Sequence, residues 1–265
     1  MSEKGRPRLL TIPISHYCEK ARWALERAGI DYVEEAHVQL IHRIVAMRTG
    51  AGRKVPVLIT AEGALNESAQ IVRWADQRLP EERRLVWPEA EAEIDRLERG
   101  FDEGFGVEGR RWMYSCLMDT DIPTRFGIEP MPAWEQRIVP LAMPLLKIYL
   151  KHFMDAEPDQ ASAALVNVEG TFDEVEEQLA DGRRYLLGDR FSAADLAFAA
   201  LSAAVLMPER YGVRLPQPAD LPPELAEVVV RLRERPAGRF AARVVAEERP
   251  WPSGSLRAAT GSRTH

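Results

Sequence analysis

Ser15, Tyr17 and Cys18 fall within four residues of one another in the stretch RLLTIPISHYCEKARWALERAG, Arg8 to Gly29. Two hydroxyls and a thiol at that spacing suit the handling of sulfur. A hydroxyl can donate to a thiolate, and a cysteine can itself become one. A free thiol has a pKa of about 8.5, so only a few per cent is ionised at pH 7. Lowering that pKa by about two units takes roughly 2.7 kcal/mol of preferential stabilisation of the anion. One hydroxyl hydrogen bond together with a helix N-terminus can supply it. The sulfur could belong to the protein or to a ligand.

The surrounding sequence positions these groups. Leu9 to Ile14 is an apolar run short enough for a buried strand. After it, Ala21, Ala24, Leu25 and Ala28 recur at helical spacing, and Gly29 stands where a helix stops. Ser15, His16, Tyr17 and Cys18 therefore belong to a strand-to-helix turn and the first helical turn, where backbone N–H groups lack partners. His16 is expected as a solvated loop residue. Asp31 to Val38 reads as a second strand, making a parallel βαβ unit. Residues 39–49 read as a short irregular helix, broken by Gly50 and Gly52. Val55 to Ile59 reads as a strand, with Pro56 near its start because proline cannot donate to a ladder. On the residues alone a trans bond is the better expectation for Pro56. Ala64-Leu65 continues as a strand. Ile71, Val72, Trp74, Ala75 and Leu79 then mark an amphipathic helix with Ser68 as its N-cap. Glu67 and Ser68 either only cap this helix or also meet a ligand.

The remainder reads as helices. PEERRLVWP, with Pro80 and Pro88, looks like a linker. Ile94, Leu97, Phe101 and Phe105 define a helix that Gly104, Gly106 and Gly109 could interrupt or bend, and residues 110–118 resume the pattern. Residues 119–140 hold Pro123, Pro130, Pro132 and Pro140 and are expected as a long loop. Helices are expected over Leu141–Met154, Ala161–Leu179, Leu196–Leu206, Pro223–Arg235 and Pro236–Glu247. Ser192 and Asp195 have the spacing of a capping box. The expected division is 1–80, a linker 81–88, an all-helical part 89–249 and a disordered tail 250–265. Of 265 residues 46% are hydrophobic, enough for proper cores, and the net charge is −6. That balance speaks against nonspecific attraction to nucleic acid or anionic membranes. No window is apolar enough for a membrane span, and MSEKGRPRLL lacks the apolar stretch of a signal peptide. Two cysteines, Cys18 and Cys116, fit a reducing cytoplasm, and the five histidines show no metal-ligand spacing.

Four stretches together carry a resemblance: Ser-x-x-Cys at Ser15, Lys54-Val55-Pro56, Glu67-Ser68, and Gly188-Asp189 followed by Ser192-Ala193-Ala194-Asp195. In this order and at these separations the chain resembles the cytosolic glutathione transferases. The resemblance implies a thioredoxin-like α/β domain followed by an all-α helical domain. It implies glutathione as co-substrate, with Ser15 as the catalytic residue that stabilises its thiolate. Pro56 is then a cis proline and Val55 the backbone partner of the cysteinyl part. Lys54 meets the glycyl carboxylate. His42 either meets it too or lies on the surface. Glu67 and Ser68 become the γ-glutamyl clamp, and Tyr17 a wall of the pocket. The electrophile pocket is expected from Tyr17, the region Phe105 to Tyr114 and the proline-rich stretch. The implied protein is a cytoplasmic homodimer acting in detoxification on a small-molecule electrophile, with no metal, nucleic acid or membrane partner. Two other functions stay open. One is a thiol-disulfide oxidoreductase using Cys18, a residue that otherwise reads as buried packing. The other is a non-catalytic glutathione-binding or interaction module.

Overall fold

The computed structural model describes residues 5–128, 130–154 and 158–250. Near the N-terminus, four strands form one sheet in the order β2-β1-β3-β4. They are β1 (Arg8–Thr11), β2 (Val33–Ala36), β3 (Val57–Thr60) and β4 (Gly63–Leu65). β2 runs parallel to β1, whereas β3 lies antiparallel to β1 and to β4. β1 stops at Thr11, short of the apolar run. Pro13 has no N–H for a ladder, and the chain turns there through a Ser15 N to Ile12 O bond of 3.1 Å.

Helix α1 (His16–Arg27) joins β1 to β2 and ends at Gly29, whose φ of 65° only glycine adopts freely. It buries Ala21, Trp23, Ala24 and Leu25 against α3 (Ser68–Asp76) and α9 (Ala193–Leu201). Burial of each large apolar side chain stabilises by about 1.5–3 kcal/mol. α2 (Ile41–Arg48) connects β2 to β3. The linker-like stretch is not loose. Leu85 is fully buried; its N–H donates to Asp76 Oδ1 at 2.5 Å, and its carbonyl accepts from Ala193 N at 2.9 Å. It therefore pins the end of α3 to the start of α9.

The helical part begins with α4 (Glu91–Gly100), one π-helical turn over Phe101–Phe105, and α5 (Gly106–Leu117), which follow without a break. The glycines do not interrupt this rod, and the wide turn falls on the FDEGF segment. The expected long loop over 119–140 is corrected. It contains the single turn α6 (Ile122–Arg125), and α7 (Ala133–Met154) starts eight residues before Leu141. Pro140 and Pro144 lie inside α7, both on its exposed side. The carbonyls they leave without a donor can therefore meet water. α8 (Pro158–Leu179), α9, α10 (Ala203–Leu206), α11 (Pro223–Glu234) and α12 (Pro236–Glu248) complete the order. Every residue of α9 is buried. Its capping box is formed: Asp195 N donates to Ser192 Oγ at 3.3 Å, and Ser192 N to Asp195 Oδ2 at 2.9 Å. Phe101, Phe105, Phe172, Phe198 and Phe240 pack around α9 with ring centroids 5.3 to 6.4 Å apart. The tail expected to be disordered lies, from residue 251, outside the described residues.

Candidate functional site

Strand register brings the sequence motifs to one end of the sheet. Leu10 stands opposite Val57, and Leu58 opposite Leu65. Val55 and Pro56 directly precede β3, Ile12 directly follows β1, and Glu67 and Ser68 follow β4 by two and three residues, so all three segments leave the sheet at the same end. The start of α1, the Val55-Pro56 pair and the start of α3 thus converge. The Val55–Pro56 bond is cis, against the expectation from the residues alone and as the resemblance implies. Asn66 Nδ2 donates to Ala51 O at 2.8 Å, which fastens the loop carrying exposed Lys54 to the residue before Glu67.

Ser15 is the N-cap of α1. It is half-buried, with extended backbone (φ −70°, ψ 120°), and its Oγ accepts from Cys18 N at 3.4 Å. Its hydroxyl proton points to no protein acceptor among the described hydrogen bonds, and the hydroxyl stands at the positive end of the helix. Tyr17 differs: its hydroxyl donates to Asp102 O in the π turn at 2.6 Å, and burial holds its pKa up at about 12. Cys18 is fully buried, and burial pushes its thiol up despite nearby Arg22 and Ser15. Cys116 is half-buried and pushed up to about 11 by burial.

His16 corrects the expectation of a solvated loop residue. It is buried, its ring lies 4.5 Å from that of Tyr17, and Nε2 meets Gly106 O at 3.1 Å. Burial, then the charge of Arg110, depress its pKa to about 3, so it is neutral and donates through Nε2. Lys20 is also fully buried, bonded to both carboxylate oxygens of Asp102 at 2.7 and 2.6 Å and paired to Glu98 at 3.0 Å. Three side chains of the first turns of α1 therefore hold the π turn and the residue after it. A π turn leaves backbone groups out of the regular ladder, and here one of its carbonyls and the adjacent one are used to seat α1.

At α3 the N-cap is Glu67, not Ser68, which is the first helical residue. Neither side chain caps the helix. Glu67 is exposed and Ser68 nearly buried, so the helix N-terminus and the Ser68 hydroxyl remain for another acceptor. His42 lies in the first turn of α2, half-buried, with Nδ1 unpartnered; burial lowers its pKa to about 4. Toward a carboxylate it would act as a neutral donor, not as a cation.

Beside the turn lies an apolar cavity of about 80 Å³. Ile12, Pro13 and Ile14 form one wall, α5 contributes Met113, Tyr114 and Leu117, and α7 contributes Val139, Met143 and Leu146. Five methionines line it: Met113, Met118, Met131, Met143 and Met207. Such a lining adapts to differently shaped apolar guests. Gly127, with φ 74°, packs on this turn so closely that a Cβ would come within 1.9 Å of Ile14 Cγ2. Phe105, expected at the pocket, belongs instead to the aromatic core. Met113, Tyr114 and Met131 lie within the stretches expected to build the pocket, whereas Tyr17 does not line this cavity, and Met118, Met143, Met207 and the Ile12–Ile14 wall fall outside those stretches. Among the described residues no cluster of His, Cys, Asp or Glu could hold a metal ion, and no helix is long and apolar enough to cross a membrane.

Two family models match the chain. Residues 9–83 match the glutathione S-transferase N-terminal domain, and residues 158–238 match the glutathione S-transferase C-terminal domain. Together they span more than half of the 265 residues. A search by sequence among curated proteins returns no significant match. Similar solved structures include a glutathione S-transferase from Xanthobacter autotrophicus, 19% identical, with a TM-score of 0.59 over 94% of this chain and 96% of that one. Another, from Ceriporiopsis subvermispora in complex with glutathione, is 17% identical, with a TM-score of 0.61 over 94% and 100%. A third, from Methylobacterium radiotolerans in complex with glutathione sulfonate, is 21% identical, with a TM-score of 0.51 over 95% and 98%. At these identities the likeness is one of fold.

Proposed function

We propose that this chain, which belongs to the glutathione S-transferase family, joins the sulfur of glutathione to an electrophilic small molecule. The observation that supports the reading is that the segments carrying Ser15, Val55-cis-Pro56 and Ser68 leave the sheet at the same end, with an apolar cavity against the Ile12–Ile14 turn. In the reaction the thiol gives up its proton, the thiolate attacks an electrophilic carbon, a C–S bond forms, and a leaving group departs with its electron pair. The Ser15 hydroxyl, with the N-terminus of α1, lowers the thiol pKa by donating to the thiolate. Tyr17 is a poor rival because its proton is already held by the Asp102 carbonyl. Ser68 and the uncapped start of α3 receive the γ-glutamyl carboxylate, and Glu67 faces its ammonium group. Val55 pairs through its backbone with the cysteinyl part. Lys54, with His42 as a neutral donor, receives the glycyl carboxylate. The methionine-lined cavity takes the electrophile. A cytoplasmic homodimer acting in detoxification completes the reading; both cysteines being free fits that compartment.

Cys18 is a weak candidate for thiol-disulfide exchange, since its thiol is fully buried and held protonated. The deciding experiment follows thiolate absorbance of bound glutathione against pH for wild type, Ser15→Ala and Cys18→Ala. The expected outcome is a thiol pKa well below 8.5 in wild type and Cys18→Ala, and its return toward 8.5 in Ser15→Ala. Binding with no shift in wild type would make the protein a binding module. Loss of activity in Cys18→Ala alone would restore the exchange reading.

A further inference from the structure

We infer that Arg110 selects electrophiles bearing a carboxylate or similar anionic group, at the boundary between the thiolate turn and the apolar cavity. This rests on the transferase reading above and names the substrate class for its second site. Gly106, Arg110, Met113 and Leu117 share one face of α5, three or four residues apart. At one end of that face Gly106 abuts Tyr17, and at the other Met113 and Leu117 line the cavity. Arg110 lies between them, half-buried, with its guanidinium carbon 5.9 Å from the centroid of the Tyr17 ring.

Its charge is uncompensated. Among the described residues Arg110 makes no ion pair, while its neighbours are occupied: Asp102 holds Lys20, and Glu108 holds Arg111. The positive charge reaches the groups around the site entrance, opposing protonation of His16 and favouring ionisation of Tyr17 and Tyr114. A half-buried guanidinium with no carboxylate partner is a strong and geometrically selective donor site for a planar anion. Glutathione carries two carboxylates of its own, so the same chemistry could come from either substrate. In the proposed reading the start of α3 and the Lys54 loop take those two, whereas Arg110 lies on α5 against Tyr17, which leaves it to the second substrate.

The test compares two conjugates of equal shape, S-(4-carboxy-2-nitrophenyl)glutathione and S-(4-carbamoyl-2-nitrophenyl)glutathione. Their equilibrium binding is measured, alongside glutathione alone, to wild type, Arg110→Lys and Arg110→Met. Wild type is expected to prefer the carboxylate by about tenfold or more, the range of a hydrogen bond to a charged group. Arg110→Met abolishes that preference and leaves glutathione and the carbamoyl conjugate within about twofold; Arg110→Lys keeps part of it. Equal binding of the two conjugates to wild type, with glutathione bound, overturns the inference and spares the transferase reading. Equal weakening of all three ligands in Arg110→Met assigns the residue to glutathione and also overturns it. Failure of wild type to bind glutathione removes the reading on which the inference stands. Thermal unfolding of each variant, unchanged from wild type, guards against misfolding.

Discussion

Gly106 offers a stringent test of how α1 is seated. An added Cβ would lie 2.7 Å from Tyr17 Oη, 3.1 Å from Tyr17 Cζ and 3.2 Å from Leu201 Cδ1. Gly106 has ordinary helical backbone, so alanine gains about 1 kcal/mol of helix propensity there. Against that stands overpacking, typically about 1–3 kcal/mol, because Tyr17 cannot yield freely. Its hydroxyl is bonded to Asp102 O and its ring rests on His16. Displacing it also forfeits about 1 kcal/mol of hydrogen bond. Gly106→Ala should therefore destabilise by about 1–3 kcal/mol in the native background. In Tyr17→Phe the closest atom is gone and only the contacts above 3 Å remain, so the same substitution should be near neutral or favourable. The coupling between the two positions should be about 1–2 kcal/mol, or several degrees in Tm. Urea unfolding of the four proteins measures it. Gly109→Ala is the control, because its Cβ would meet only Val205 Cγ1 at 3.3 Å and Ala204 Cβ at 3.5 Å. Additive effects at 106 and 17, or a stabilising Gly106→Ala in the native background, would refute the account of the π turn as the socket of α1.

Lys20→Met should cost about 3–5 kcal/mol by urea unfolding, since it leaves buried Glu98 and half-buried Asp102 without their shared cation; a loss below about 1 kcal/mol would show that Arg73, 3.1 Å from Glu98, suffices. Asp195 titrates near 6 in the fold, raised from 3.8 chiefly by burial. A raised carboxyl pKa means that the folded state holds the proton longer, so this contribution to stability is full below 3.8 and is lost as pH rises through about 6. Asp195→Asn should remove that decline from a stability-versus-pH profile, while lowering stability overall because an amide cannot accept both from Leu186 N and from Ser192 N; an unchanged profile would exclude Asp195 as its source.

The parts of this molecule legible in the sequence are those set by local chemistry. The strand-turn-helix around Ser15, the βαβ–ββα order and the Ser192–Asp195 box each depend on residues a few positions apart. His16 was misread because its partner, Gly106 O, is 90 residues away, and nothing near His16 announces burial. The N-cap of α3 lies one residue before the expected Ser68, which has the stronger intrinsic preference, because Glu67 keeps extended backbone and Ser68 is already helical. Pro140 and Pro144 argued for a loop. They are tolerated because both face outward, while Val139, Met143 and Leu146 on the other side pack into a core. The cavity was only half legible for the same reason: its walls come from seven separate stretches whose meeting is a property of the tertiary fold.

Arg249 gives helix α1 an unusual timetable. Its Nε lies 2.9 Å from Glu19 Oε1, and its guanidinium also holds Glu26; Trp23 Nε1 donates to Glu248 O at 3.2 Å, and Arg27 pairs with Glu248 at 2.9 Å. Glu19 and Arg249 are nearly fully buried and 230 positions apart. During synthesis the ribosome releases α1 some 230 residues before Arg249, its ionic partner. Until then Glu19 and Trp23 lack the groups that cover them, and a contact of such span is slow to close. The helix that carries Ser15 is therefore made well before it is finished, and a chain cut short of Arg249 exposes the underside of that helix.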